Sequence, residues 1–126
     1  MTAIKILIVD DEDNIHKVLK RIFSSTNVQP LSAFNGAEAL QLAKDNKPSL
    51  ILLDINMPKM DGNEVMRELR KNPETNAIPV IMLTGNGEAI DKVVGFELGV
   101  QDYITKPFDV ADLRERIENV IGKLKS

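Results

Sequence analysis

Leu50-Ile51-Leu52-Leu53-Asp54-Ile55-Asn56-Met57-Pro58-Lys59-Met60-Asp61-Gly62 is the stretch that decides the fold. Its first four residues are apolar without alternation, the pattern of a short strand buried on both faces of a parallel sheet. The run stops on a carboxylate, and Pro58 with the Asp61-Gly62 pair then forces a loop. Asp54 therefore belongs at the carboxyl end of a strand, facing the crevice where open α/β sheets bind ligands. A carboxylate is costly to leave unpartnered there, which makes it the first candidate for chemistry.

The same layout recurs to either side. Ile4–Val9 reads as a strand and ends on Asp10-Asp11. Ile15, Val18, Leu19, Ile22 and Phe23 follow at helical spacing, with Asp13 expected as N-cap. Val28–Ala33 is a second strand, assigned to the sheet edge by its Pro30. Asn35-Gly36-Ala37-Glu38 gives an N-cap and a capping-box Glu for a helix through Lys44, with Ala37, Ala39, Leu40 and Ala43 as its small-residue face.

Beyond the Asp54 loop, Val65, Met66 and Leu69 mark a third helix stopped near Asn72-Pro73. Val80-Ile81-Met82-Leu83 ends on Thr84-Gly85, and Ile90, Val93, Val94 and Leu98 predict a fourth helix closed by Gly99. Tyr103-Ile104-Thr105 ends on Lys106-Pro107. Val110, Leu113, Ile117, Val120, Ile121 and Leu124 give the last helical face. About five strand–helix alternations with short connections predict an α/β fold, a parallel sheet covered by helices on both faces.

Bulk properties narrow the classes. With 126 residues, the chain suits one domain, here taken as 1–126, with a real core. The net charge of −3 argues against the chain gripping nucleic acid by itself. No apolar run approaches the roughly 20 residues of a bilayer span, and the amino terminus runs directly into a strand, so neither membrane nor leader is expected. The absence of cysteine excludes disulfides and thiolate metal sites and fits a reducing cytoplasm.

In a parallel sheet all strand carboxyl ends share one edge, so Asp10, Asp11, Asp54, Thr84 and Lys106 are expected to converge. Crowded carboxylates raise one another's pKa unless a cation joins them, and an oxygen-only set suits Mg²⁺. The ammonium and the hydroxyl complete a site able to stabilise a phosphoryl group in flight, with Asp54 as nucleophile forming an aspartyl phosphate.

These residues carry a resemblance. Val9-Asp10-Asp11, Asn35-Gly36-x-Glu38-Ala39-Leu40, Leu53-Asp54-x-x-Met57-Pro58-x-Met60-Asp61-Gly62, Leu83-Thr84-Gly85 and Gly99-x-x-Asp102-Tyr103-x-x-Lys106-Pro107-Phe108 stand in order and at the spacing of a response regulator receiver domain. The chain resembles the single-domain chemotaxis regulators end to end. That resemblance implies a flavodoxin-like, doubly wound five-stranded sheet of order 2-1-3-4-5. It implies that Asp54 accepts a phosphoryl group from a histidine kinase or histidine phosphotransfer protein. It also implies Mg²⁺ held by Asp11, Asp54 and the Asn56 carbonyl, with Asp10 acting largely through water. Lys106 and Thr84 are then expected on the phosphoryl oxygens, Tyr103 as a rotamer switch, and the Lys106–Pro107 bond as cis. The output is a changed surface of the fourth helix, fifth strand and final helix, read by a downstream protein or domain, the chain being a monomer or a phosphorylation-dependent dimer.

The competing readings are weaker. An aspartyl hydrolase of the haloacid-dehalogenase type carries a second Asp two residues on as general acid, where this chain has Asn56, so a switch and not a turnover enzyme is expected. A flavin or nucleotide carrier needs a Gly-rich loop after the first strand, where two acids stand instead. His16 is expected on the polar side of the first helix, at the surface. Lys92, Asp102, Asp112 and Arg116 are expected to form a solvated mixed-charge face.

Overall fold

The computed structural model describes residues 3–57, 60–85 and 99–125. Among them run β1 (Ile4–Val9), α1 (Asp13–Phe23), β2 (Val28–Ala33), α2 (Gly36–Asn46), β3 (Leu50–Asp54), α3 (Gly62–Lys71), β4 (Val80–Gly85), β5 (Asp102–Lys106) and α4 (Val110–Ile121). The fourth helix expected around Ile90–Leu98 lies outside the described residues, as do Asn86 and Lys92. Gly99 has a φ of 81°, the left-handed value expected of a helix-closing residue.

The strands form one sheet of order β2-β1-β3-β4-β5, every pair parallel. Strand alternation splits the core into two layers. Ile6, Ile8, Leu50, Leu52, Ile81, Leu83 and Ile104 face Leu19 and Phe23 of α1 and Leu113 and Ile117 of α4. Leu7, Val9, Ile51, Leu53, Val80 and Met82 face Ala39 and Ala43 of α2 and Val65, Met66 and Leu69 of α3. All five residues of β3 are buried, as its unbroken apolar run requires. Pro30 leaves β2 intact, because the strand sits at the sheet edge.

Helix ends follow their capping chemistry with some shifts. Asn35 and Asp61 cap α2 and α3 through their side chains, accepting from the N–H groups of Glu38 and Glu64. Glu38 turns its carboxylate to the Phe34 N–H, one residue before the N-cap. Helix α2 runs on to Asn46 and ends on Lys47 in the left-handed region, and Ala37 is exposed. Glu12 precedes α1 and makes no side-chain cap; Asp13 lies in the first turn and pairs with Lys17 instead.

Two apolar faces depart from expectation at single positions, with Ile15 and Ile22 of α1 and Val120 and Ile121 of α4 still packed against the core. In α1 the buried stripe is His16, Leu19 and Phe23, while Val18 is exposed. In α4, Leu113 and Ile117 are buried, and Val110 at the helix start is exposed. Leu124 is buried after the helix has ended.

Gly62 opens α3 against the strand that carries Asp54. A Cβ there would lie 2.7 Å from the Ile55 Cα and 2.8 Å from the Asp54 carbonyl oxygen, both backbone atoms that cannot yield. At Gly36 the tightest neighbour is the flexible Met60 side chain. Gly62→Ala is therefore expected to cost about 1–3 kcal/mol in urea unfolding and Gly36→Ala clearly less. Equal losses would contradict the backbone contact as the cause.

Candidate functional site

The carboxyl edge of the sheet gathers the charged residues through strand register. Val9 pairs with Leu53, so Asp10 and Asp54 leave β1 and β3 side by side. Gly85 pairs with Lys106, which brings β5 to the same edge. Asp10, Asp54 and Lys106 each lie two residues beyond a side chain of the α1/α4 layer, namely Ile8, Leu52 and Ile104. Alternation thus turns all three to one face.

The result is a buried charge cluster. Asp10 is 0% exposed and Asp54 is 3% exposed. The Lys106 ammonium lies 2.7 Å from Asp10 Oδ2 and 3.7 Å from Asp54 Oδ1. Asp10 Oδ1 accepts from the Glu12 N–H at 2.9 Å, and Asp54 Oδ1 accepts from the Asn56 N–H at 3.2 Å. Asp11 and Glu12 are exposed on the turn after β1. One carboxylate oxygen from each of Asp10, Asp11 and Glu12 falls within 4.8 Å of the others, close enough to share a cation. This all-oxygen donor set fits a hard ion such as Mg²⁺.

Electrostatics follow from the crowding. Burial pushes the Asp54 carboxyl up to about 6; the Asn56 N–H works against the shift, the Asp10 charge adds to it, Lys106 opposes it and Asp11 adds a little. Burial works against the Lys106 ammonium, yet the hydrogen bond to Asp10 and the charges of Asp10 and Asp54 outweigh it and raise its pKa.

Thr84 reaches the same edge on the other face, and Tyr103 lies two register positions short of it. Thr84 is buried and lies two residues beyond Met82, and Tyr103 packs half-buried against the layer that Met82 belongs to. Met82 is also the register partner of Tyr103, so the hydroxyl and the ring are diagonal neighbours. The Lys106–Pro107 bond is cis.

Two residues of the site were not anticipated as such. Glu12 extends the acidic pair to three, legible as the run Asp10-Asp11-Glu12. His16, expected at the surface, is 1% exposed. Its Nε2 lies 2.8 Å from the Asp10 carbonyl oxygen and its Nδ1 lies 3.0 Å from Ser32 Oγ. The signal was its spacing, three and seven residues ahead of Leu19 and Phe23. On the mixed-charge face, Arg116 is paired within the chain, 2.8 Å from Asp102 and 3.0 Å from Asp112.

Asp54 makes stability depend on pH with a definite sign. The unfolded carboxyl releases its proton near 3.8 and the folded one near 6, so folding takes up a proton between these values. Stability tied to this group is highest below about pH 4 and falls as pH rises through about 6. In divalent-free buffer, Asp54→Asn is expected to match the wild type at pH 4 and exceed it by up to about 3 kcal/mol at pH 7 in urea unfolding. A difference independent of pH would contradict the buried, destabilised carboxylate.

Comparison with known proteins agrees with this geometry. Residues 6–118 match the response regulator receiver domain family. Over 119 residues, the chain is 43% identical to the probable transcriptional regulator ycf27 of Porphyra purpurea, covering 94% of this chain and 48% of that protein. It is 41% identical to the alkaline phosphatase synthesis transcriptional regulatory protein PhoP of Bacillus subtilis, covering 94% and 49%. The chain thus spans about half the length of the curated relatives it matches. The structure of the Vibrio cholerae chemotaxis protein CheY4 superposes with a TM-score of 0.85 at 27% identity, covering 94% of this chain and 98% of that one. A five-stranded sheet of order 2-1-3-4-5, an acidic edge with a lysine at its centre and this match together place the chain in the response regulator receiver domain family of two-component signalling.

Proposed function

We propose that the chain is a phosphoacceptor switch whose Asp54 takes a phosphoryl group from the phosphohistidine of a histidine kinase or histidine phosphotransfer protein. The observation that supports this most is the Lys106 ammonium held between Asp10 and Asp54 beside the acids of the β1–α1 turn. An Asp54 carboxylate oxygen attacks phosphorus, the bond from phosphorus to the imidazole nitrogen breaks, and the imidazole leaves with the electron pair.

The family implies Mg²⁺, and the all-oxygen donor set fits it. Asp11, Asp54 and the Asn56 carbonyl are the residues that would hold the ion, with Asp10 acting through water and Glu12 adding charge nearby. When bound, it supplies positive charge to the phosphoryl oxygens. The chain's own residues do the rest. Above about pH 6 Asp54 is ionised and ready to attack. Lys106 already leans toward Asp54 and can donate to a phosphoryl oxygen without leaving Asp10. Thr84 offers a hydroxyl hydrogen to another oxygen, and its movement frees or fills the space that Tyr103 uses. Asn56, two residues beyond the nucleophile, gives the leaving group no acid, which favours a switch over a turnover enzyme.

The phosphorylated state shifts the surface around β5 and α4 toward one that an output protein or domain recognises. A coupling of roughly 1–3 kcal/mol is enough. This reading places the chain in the cytoplasm, as a monomer or a phosphorylation-dependent dimer that does not itself hold nucleic acid.

Incubation with acetyl phosphate and Mg²⁺ is expected to add one phosphoryl mass, not formed when the metal is chelated beforehand and absent in Asp54→Asn. Lys106→Met is expected to label about 10²-fold more slowly. Labelling that persists in Asp54→Asn would overturn the assignment of the nucleophile.

A further inference from the structure

We propose that His16 is a positioning residue for the cation-binding turn, holding Asp10 through its main-chain carbonyl. The proposal rests on the phosphoacceptor reading above. At Asp10 the ladder between β1 and β2 comes to its end, the Asp10 N–H still donating to the Ala33 carbonyl at 3.2 Å. The Asp10 carbonyl then takes a side chain as partner, His16 Nε2 at 2.8 Å. A carbonyl oxygen only accepts, so Nε2 carries the hydrogen, and in the neutral imidazole Nδ1 is left to accept from the Ser32 hydroxyl. The ring also lies against Phe34, with centroids 4.1 Å apart.

His16 therefore joins three segments around one residue: the end of β1, the body of β2 through Ser32, and the β2–α2 turn through Phe34. Asp10 is fixed on every side by these contacts. Its carboxylate oxygens are engaged by the Glu12 N–H and by Lys106. A displacement of the Asp10 backbone moves the acid cluster and the lysine that serves Asp54 at the same time. That coupling separates His16 from a buried side chain that only fills space, because its effect falls on the site before it falls on the core.

The test is Mg²⁺ binding to the intact chain by calorimetry, with acetyl phosphate labelling alongside. His16→Phe keeps the ring against Phe34 and removes the donor; it is expected to weaken Mg²⁺ about tenfold. His16→Gln, which restores an N–H toward the Asp10 carbonyl, is expected to return most of that loss. Ser32→Ala leaves the ring without the hydroxyl that orients it and is expected to weaken Mg²⁺ about threefold; it decides the case if His16→Phe does not fold. Leu19→Val, a buried change in the same helix, is expected to lower stability and leave Mg²⁺ affinity alone. Affinities for His16→Phe and Ser32→Ala within about twofold of wild type would overturn the proposal, as would failure of His16→Gln to recover. A wild-type chain that neither binds Mg²⁺ nor labels would instead overturn the phosphoacceptor reading itself.

Discussion

One amine bridges the two buried acids at the rim of this sheet. Two carboxylates removed from water repel each other and each carries a desolvation cost, so their coexistence within one fold depends on the Lys106 ammonium between them. The geometry comes from topology: β1 and β3 are neighbours in the sheet, and β5 arrives from the far edge with its last residue level with the end of β4. The compensation is partial. Asp54 still gives up its proton less readily than a free carboxyl, which leaves the site short of positive charge. A cation shared by the Asp10, Asp11 and Glu12 oxygens, which lie close enough to hold one, would ease that deficit.

Most of this was legible from letters because the signals were local and repeated. Apolar runs that end on Asp10, Asp54, Thr84 and Lys106 each announce a strand end, and a parallel sheet converts four strand ends into one edge. The order of the strands needed the family pattern, since no periodicity tells which strands are neighbours. What sequence missed concerns single positions on a helix face. His16 stands at helical spacing from Leu19 and Phe23, but Ile15, Val18 and Ile22 offer an all-apolar stripe through the same two residues, and that stripe outweighs the polar ring. A histidine is placed outward by default; here two ring nitrogens find partners, and burial becomes affordable only because both do. Val110 was likewise credited to the core by periodicity, but it sits at the first position of α4, before the helix has reached the sheet. Asp13 and Glu12 illustrate the usual one-residue shift at a helix start.

Charges away from the rim behave differently. Arg116 reaches Asp102 and Asp112 in a half-exposed setting, where water does much of the work of stabilising either partner. Arg70 is used for shape: its guanidinium donates to the carbonyls of Asn76, Ile78 and Gly99, tying α3 to the loop before β4 and to the approach to β5.

The complete burial of β3 has a kinetic consequence. Amides at the centre of a strand covered on both faces exchange with solvent only when the whole domain opens, whereas amides on an exposed turn exchange through local fluctuation. Asp54 closes a strand whose five residues are all buried, and Asp11 and Glu12 stand on an exposed turn. Backbone protection is therefore expected to be high along the strand beneath Asp54 and low on the acidic turn that faces it.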